Sequence, residues 1–157
     1  MIQIIQNVIT DEEIQEFLDY FNNNLDKKFS LVEDTDFKYS GISILHDIEK
    51  FTFLNKLKYK NYERLRIQHI DNSIDMLLVP HTHTPPYSYV IFLNDNFEGG
   101  ELIFENIRIK PKKGQMVYFS REEKHYVDNV ICGNRYTLVS FTKDGSIDLK
   151  RLKSQII

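Results

Sequence analysis

Two hydrophobic periods divide the chain. Behind Thr10-Asp11-Glu12-Glu13, a capping-box sequence, Ile14, Phe17, Leu18, Phe21 and Leu25 recur at helical spacing and predict an amphipathic helix to about residue 24. Ile48, Phe51, Leu54 and Leu57 can share a second helical face within residues 47–60. From Leu65 onward the period shortens to that of strands. LRIQHID, DMLLV, SYVIFLN, ELIF, IRIK, QMVYFS, HYVDNV and RYTLVSFTK are separated by turn chemistry, and Gly99, Gly100, Gly114 and Gly133 fall between them. Short strands after helical packing elements predict a mainly β fold with flanking helices (α+β): a double-stranded β-helix, or cupin-like jelly roll. It is expected as one domain over residues 1–157, with 1–64 as mainly helical support and 65–142 as the jelly-roll core. The closing residues from Gly145 to Ile157, with Lys150, Arg151 and Lys153, read as a solvated terminal helix.

Composition narrows the function class without choosing one. A chain of 157 residues can bury a substantial core without metal or disulfide staples. Twenty basic against 23 acidic residues leave no overall basic surplus that would call for nucleic acid or a membrane surface. The lone Cys132 excludes an internal disulfide framework and a zinc ribbon, and reads as a core residue in a reducing compartment. No stretch approaches the roughly 20 apolar residues of a membrane span, and the N-terminus lacks a basic leader, so a soluble, cytoplasmic protein is expected. Abundant Asn, Ile and Lys without Trp would suit an AT-rich phage or viral genome. Oligomeric state leaves no signature.

The chemistry begins at His81 and His83. Residues i and i+2 of an extended segment point the same way, so both imidazoles can aim at one point ahead of SYVIFLN; two solvated histidines in a Pro-rich loop are the plain alternative. His125 opens another predicted strand, and strands distant in sequence can be neighbours in a jelly roll. Three neutral imidazoles would suit Fe, Zn, Cu or Ni and leave positions free for substrate and oxygen. His69 and Asp71 form a competing pair that includes a carboxylate, although cross-strand packing also explains His69; His46 has no evident partner. In RYTLVSF, alternation places Arg135, Thr137, Val139 and Phe141 on one face and Tyr136, Leu138 and Ser140 on the other. If the first face lines the barrel, its guanidinium needs an anion. Arg matches a carboxylate bidentately, and the Thr137 hydroxyl could donate to the same group. A structural pair with Glu101, or an outward Arg135, are the alternatives.

YVIFLNDNFEGGELIF, IKPKKGQMVYF and HYVDNVICGNRYTLVSF resemble, in order and spacing, the iron- and 2-oxoglutarate-dependent dioxygenases of the prolyl 4-hydroxylase-like group. The resemblance covers roughly residues 65–142, and VITDEEIQEF is similar to that group's opening. It implies a double-stranded β-helix in which an H-x-D pair and a distal His hold Fe(II), and a basic residue ten positions later anchors 2-oxoglutarate. Those positions match His81, His83, His125 and Arg135, and Arg135-Tyr136-Thr137 is similar to the superfamily's R-x-S pattern. The chain departs from the pattern twice. Phe92 stands where a Tyr usually bonds the co-substrate, a bond that Thr137 or a tyrosine from another strand, with Tyr89 as candidate, would replace. His83 stands where the family carries Asp, which removes one negative charge from the metal's ligands. An all-histidine iron site, as in cupin-type dioxygenases, is the expected outcome; a carboxylate from Asp71 or Glu101, or an inactive relative, are the others. Family halogenases also lose this Asp, but to a small residue that leaves room for chloride, which His83 would fill.

The activity so implied is hydroxylation of a C–H bond, in a prolyl or other residue of a peptide or protein, with 2-oxoglutarate and O2 as co-substrates. Tyr87, Tyr89, Tyr118 and Tyr126 are candidate cavity or rim residues. Two alternatives stay open: a cupin-type metal protein that does not use 2-oxoglutarate, and an inactive binding module. HTH and the His125…Asn129 pair resemble the cupin motifs, but the expected Glu is missing and a cupin has no use for Arg135.

Overall fold

A computed structural model of the chain describes residues 1–32, 38–76 and 78–154. Helix α1 (Asp11–Asn23) starts where its capping box predicts. Thr10 Oγ1 accepts from the Glu13 amide at 3.1 Å, and Glu13 Oε1 accepts from the Thr10 amide at 3.0 Å. The second predicted helix resolves into a single 3-10 turn (Ile48–Lys50) and the short α2 (Thr52–Leu57).

The strands run β1 (Ile2–Ile5), β2 (Phe29–Val32), β3 (Lys38–Ser43), β4 (Tyr62–Asp71), β5 (Tyr87–Phe92), β6 (Glu98–Gly99), β7 (Leu102–Phe104), β8 (Arg108–Ile109), β9 (Met116–Ser120), β10 (His125–Val127), β11 (Val130–Cys132) and β12 (Asn134–Thr142). A seven-stranded sheet has the order β1-β9-β5-β12-β4-β3-β2, and two small sheets, β10-β7-β8 and β11-β6, accompany it. Among the described residues every strand pair is antiparallel. This is the mainly β, double-stranded β-helix architecture that the strand pattern predicts.

Both faces of the large sheet are buried, which is why its central strands read as nearly continuous apolar runs. On one face Leu65, Ile67, Tyr89, Ile91, Met116 and Leu138 pack against Phe17 and Phe21 of α1 and Phe53, Leu54 and Leu57 of α2. On the other, Val90, Phe92, Val117, Phe119, Val139 and Phe141 meet Leu102, Phe104 and Ile109 of the β10-β7-β8 sheet. The first core braces the sheet; the second surrounds the candidate site.

Several expectations are corrected. Residues 1–64 are not mainly helical: β1, β2, β3 and the start of β4 extend the large sheet there. Strands this short and interrupted by polar residues and Gly41 carry little period-two signal. Residues 75, 76, 78 and 79 form no strand. Pro80 cannot donate to a ladder, and Leu78 and Val79 are exposed; Leu77 of that predicted strand lies outside the described residues. The closing helix, α3 (Leu149–Ser154), is not merely solvated, because Leu152 is buried in the helix-side core beside Ile147; the predicted extension through 155–157 lies outside the described residues. Cys132 is exposed rather than core, because β11 turns it outward on a two-stranded ribbon with a register shift between Val130 and Cys132. No helix among the described residues is long and apolar enough to cross a membrane.

Thr10→Ala removes the N-cap acceptor and is expected to cost about 1 kcal/mol, lowering the melting temperature by roughly 3 °C for a domain of this size. Thermal denaturation followed by circular dichroism checks it.

Candidate metal and co-substrate site

The backbone brings His81 to His125. His81 N donates to His125 O and His125 N to His81 O, both at 2.9 Å, so the loop ahead of β5 is locked to the first residue of β10 as an antiparallel bridge. His83, two residues on, points to the same side. The candidate ligand nitrogens of all three residues lie within 4.8 Å of one another, and the ring centroids are 4.5–5.0 Å apart.

The protonation pattern favours a cation at this point. His125 Nδ1 faces the Glu123 carbonyl at 3.0 Å and so carries the proton, which leaves its Nε2 as a lone pair. That Nε2 lies 3.0 Å from His83 Nε2. Adjacent donors on one ion, each bonded at about 2.1 Å, are spaced about 3 Å apart. Burial holds the His83 imidazole down to about 3, with His125, His81, Arg66 and Arg64 adding to the effect. Burial likewise lowers His125 to about 4, opposed by the Glu123 carbonyl and aided by His81. Both are therefore neutral near pH 7, the form that ligates.

A cavity of about 690 Å³, counting its open mouth, runs inward from the histidines between the sheets. At its inner end is Arg135, which is 2% exposed. Its Nε donates to the Gly100 carbonyl at 2.9 Å, and its guanidinium lies over the Phe92 ring, 5.3 Å from the centroid. Gly100 is required at this spot: it has φ +63°, and a Cβ there would come within 2.8 Å of Arg135 Cδ. Two registers on from Arg135 on the same face, Thr137 is fully buried, and its Oγ1 has no hydrogen-bond partner among the described residues. A buried hydroxyl left unpaired costs about 1–3 kcal/mol. An anionic ligand reaching Arg135 would supply its acceptor, so the residues fit a carboxylate.

The other expectations divide by strand face. Tyr89 does not belong to the site. Ser88 and Val90 line the cavity, so alternation turns Tyr89 to the helix-side core, where its hydroxyl bonds Tyr62 Oη at 2.7 Å. Tyr87 and Tyr118 stack on that same side at 5.5 Å, and Tyr126 is not among the cavity's lining residues. His69 also faces away: it stacks on Tyr136 at 4.8 Å and bonds Asn134 Oδ1 at 2.9 Å. Asp71 caps the following turn through the Ser73 amide and hydroxyl, and Glu101 pairs with Arg108 at 3.1 Å. Neither carboxylate joins the histidines, and His46 is exposed elsewhere. Sequence reasoning passed over Arg66 and Gln68, which face the cavity from β4. The signal was present as alternation in RLRIQ, where Arg64, Arg66 and Gln68 share a face.

Fold and site together describe a jelly roll whose cavity is lined by three clustered histidines and a buried arginine. Residues 57–143 match the family model described as the 2OG-Fe(II) oxygenase superfamily, and the chain belongs to that family. Membership implies Fe(II) and 2-oxoglutarate, and His81, His83 and His125 are the residues that could hold the metal. Prolyl 3-hydroxylase 2 of Rattus norvegicus is 43% identical over 58 residues; the match covers 31% of this chain and only 8% of that protein. A 2OG-Fe(II) oxygenase-family oxidoreductase from Burkholderia pseudomallei superposes with a TM-score of 0.64 at 16% identity, over 92% of this chain and 86% of that one. A Trichoplax adhaerens prolyl hydroxylase, solved with a hypoxia inducible factor peptide fragment, gives 0.65 at 14% identity over 99% and 87%. At these identities the structural likenesses establish the fold.

Two outcomes follow from the geometry. An unfolded imidazole protonates near pH 6.5, whereas His83 and His125 resist protonation until about 3 and about 4. The unfolded chain thus binds more protons in between, and the metal-free protein's stability is lost as pH falls from about 6.5 toward 4. Melting temperatures across that range check this, and His83→Asn should flatten the slope between pH 6.5 and 5. Tyr89→Phe is expected to cost about 1 kcal/mol of stability and to leave the 2-oxoglutarate dissociation constant unchanged in calorimetry.

Proposed function

We propose that this chain is an Fe(II)- and 2-oxoglutarate-dependent dioxygenase that hydroxylates a C–H bond in a prolyl or other residue of a peptide. The observation that carries the reading is one cavity with three converging imidazoles at its mouth and a buried guanidinium at its inner end. In the proposed roles His81, His83 and His125 hold the metal. Arg135 grips the far carboxylate of 2-oxoglutarate, and the Thr137 hydroxyl donates to the same group. The peptide is the finer part of the proposal. It draws on the prolyl hydroxylases among the similar proteins, and the chain spans only a small fraction of the curated relatives' length.

Bound iron and 2-oxoglutarate supply the oxidising chemistry: O2 is consumed, 2-oxoglutarate becomes succinate and CO2, and C–H becomes C–OH. The chain's own contribution is placement and exclusion of water. The Arg135 anchor fixes the diacid along the cavity, so that its oxo-acid end faces the histidines. Val90, Leu102, Phe119 and Val139 wall the path between them with apolar surface, and a dry wall strengthens the charge pairing at Arg135.

Arg135→Leu removes a charge-assisted contact of about 2–3 kcal/mol and should raise the 2-oxoglutarate dissociation constant roughly 30- to 140-fold, with the melting temperature as a check on folding. Succinate release that requires Fe(II), stops on chelation and rises with a proline-containing peptide is the expected activity. Metal binding without 2-oxoglutarate binding would instead make the chain a cupin-type protein, and binding of neither would make it a module without turnover.

A further inference from the structure

The cavity carries a second guanidinium besides that of Arg135. Arg66, 8% exposed, projects from β4 into the cavity wall, its guanidinium over Phe141 at 5.3 Å from the ring centroid. The same Phe141 ring meets the His83 imidazole at 4.6 Å, so Arg66 stands beside the candidate metal position. Arg135 lies at the other end, over Phe92. Phe92 is level with Thr137 in the register of β5 and β12, and Phe141 is four residues further along β12. Arg66 pairs with Val139 in the register of β4 and β12, between those two levels, and its guanidinium reaches on to Phe141.

Arg64 continues the same face outward, i and i+2 with Arg66 on β4. It is exposed and lines, with His83, Thr84 and Phe141, a depression on the outer side of the histidines; Glu63 borders it. Both arginines act on the His83 imidazole electrostatically. A cationic track thus leads from solvent through Arg64 to Arg66 beside the histidines.

We infer that Arg64 and Arg66 recognise a carboxylate on the substrate, so that the peptide acted on is acidic beside its reacting residue. This rests on the dioxygenase reading and deepens it by naming the substrate class. Guanidinium suits the role because it stays charged and pairs with carboxylate through two parallel hydrogen bonds. The carboxylate can come from an Asp or Glu side chain or from a peptide C-terminus.

The test uses the full chain loaded with Mn(II) and 2-oxoglutarate, and fluorescent proline-containing peptides read by anisotropy. The peptides carry Glu, Gln or Lys next to proline with an amidated C-terminus, and a fourth pairs Gln with a free C-terminal carboxylate. The Glu peptide is expected to bind at least tenfold more tightly than the Gln peptide, with Lys weakest; tight binding of the fourth peptide instead would assign the track to a C-terminus. Arg64→Gln should reduce the Glu-to-Gln preference severalfold, Arg66→Met should abolish it, and Arg66→Lys should restore part of it. Calorimetry with 2-oxoglutarate on the same samples separates the two readings. Equal affinity for all four peptides, or binding of none, in protein that binds 2-oxoglutarate overturns this inference alone. Arg66→Met weakening 2-oxoglutarate as much as peptide overturns it by assigning Arg66 to the co-substrate. Absence of 2-oxoglutarate binding in the unmodified protein overturns the dioxygenase reading and this inference with it.

Discussion

The site depends on two backbone hydrogen bonds, from His81 to His125 and back. They join a loop to a strand more than forty residues later and fix where both imidazoles start. Everything else follows from strand alternation around that bridge. His83 falls on the same side as His81 because it is two residues on, and the face of β12 that carries Arg135 also carries Val139 and Phe141 toward the histidines.

Replacing a carboxylate by His83 changes the electrostatics of such a centre. Neutral imidazoles leave the full charge of a divalent ion to be met by ligands from solution, and 2-oxoglutarate brings two negative charges. Two cavity-lining guanidinium groups, Arg135 and Arg66, push the balance further positive. A cavity of this kind favours anionic ligands, whereas the same ion with an aspartate would already be partly neutralised. His83 and His125 lie 3.0 Å apart at their Nε2 atoms, and burial lowers the proton affinity of both.

Much of this was legible in the sequence. The capping box placed α1, the period-two runs placed most strands of the core, and alternation in RYTLVSF put Arg135, Thr137, Val139 and Phe141 on one face. What could not be read was register. Both faces of β5 are apolar, so its own pattern cannot say whether Tyr89 or its neighbours Ser88 and Val90 face the site. The pairing of Thr137 with Phe92, and of Phe141 with Ser88, decides it. Nor does the sequence show that Asp71 is held by its turn and Glu101 by its ion pair with Arg108, away from the histidines. Short strands such as β1 escaped notice because four residues at a sheet edge carry too little periodicity.

The central claim is that His81, His83 and His125 share one ion while Arg135 holds the far end of a diacid. Crystals grown without oxygen in Fe(II) and 2-oxoglutarate test it most directly, with anomalous scattering at the iron edge locating the ion. The account predicts one iron ligated by all three imidazoles and chelated by 2-oxoglutarate, whose remaining carboxylate meets Arg135 and Thr137. Iron bound by a carboxylate side chain of this chain in place of His83, or 2-oxoglutarate lying away from Arg135, would contradict it.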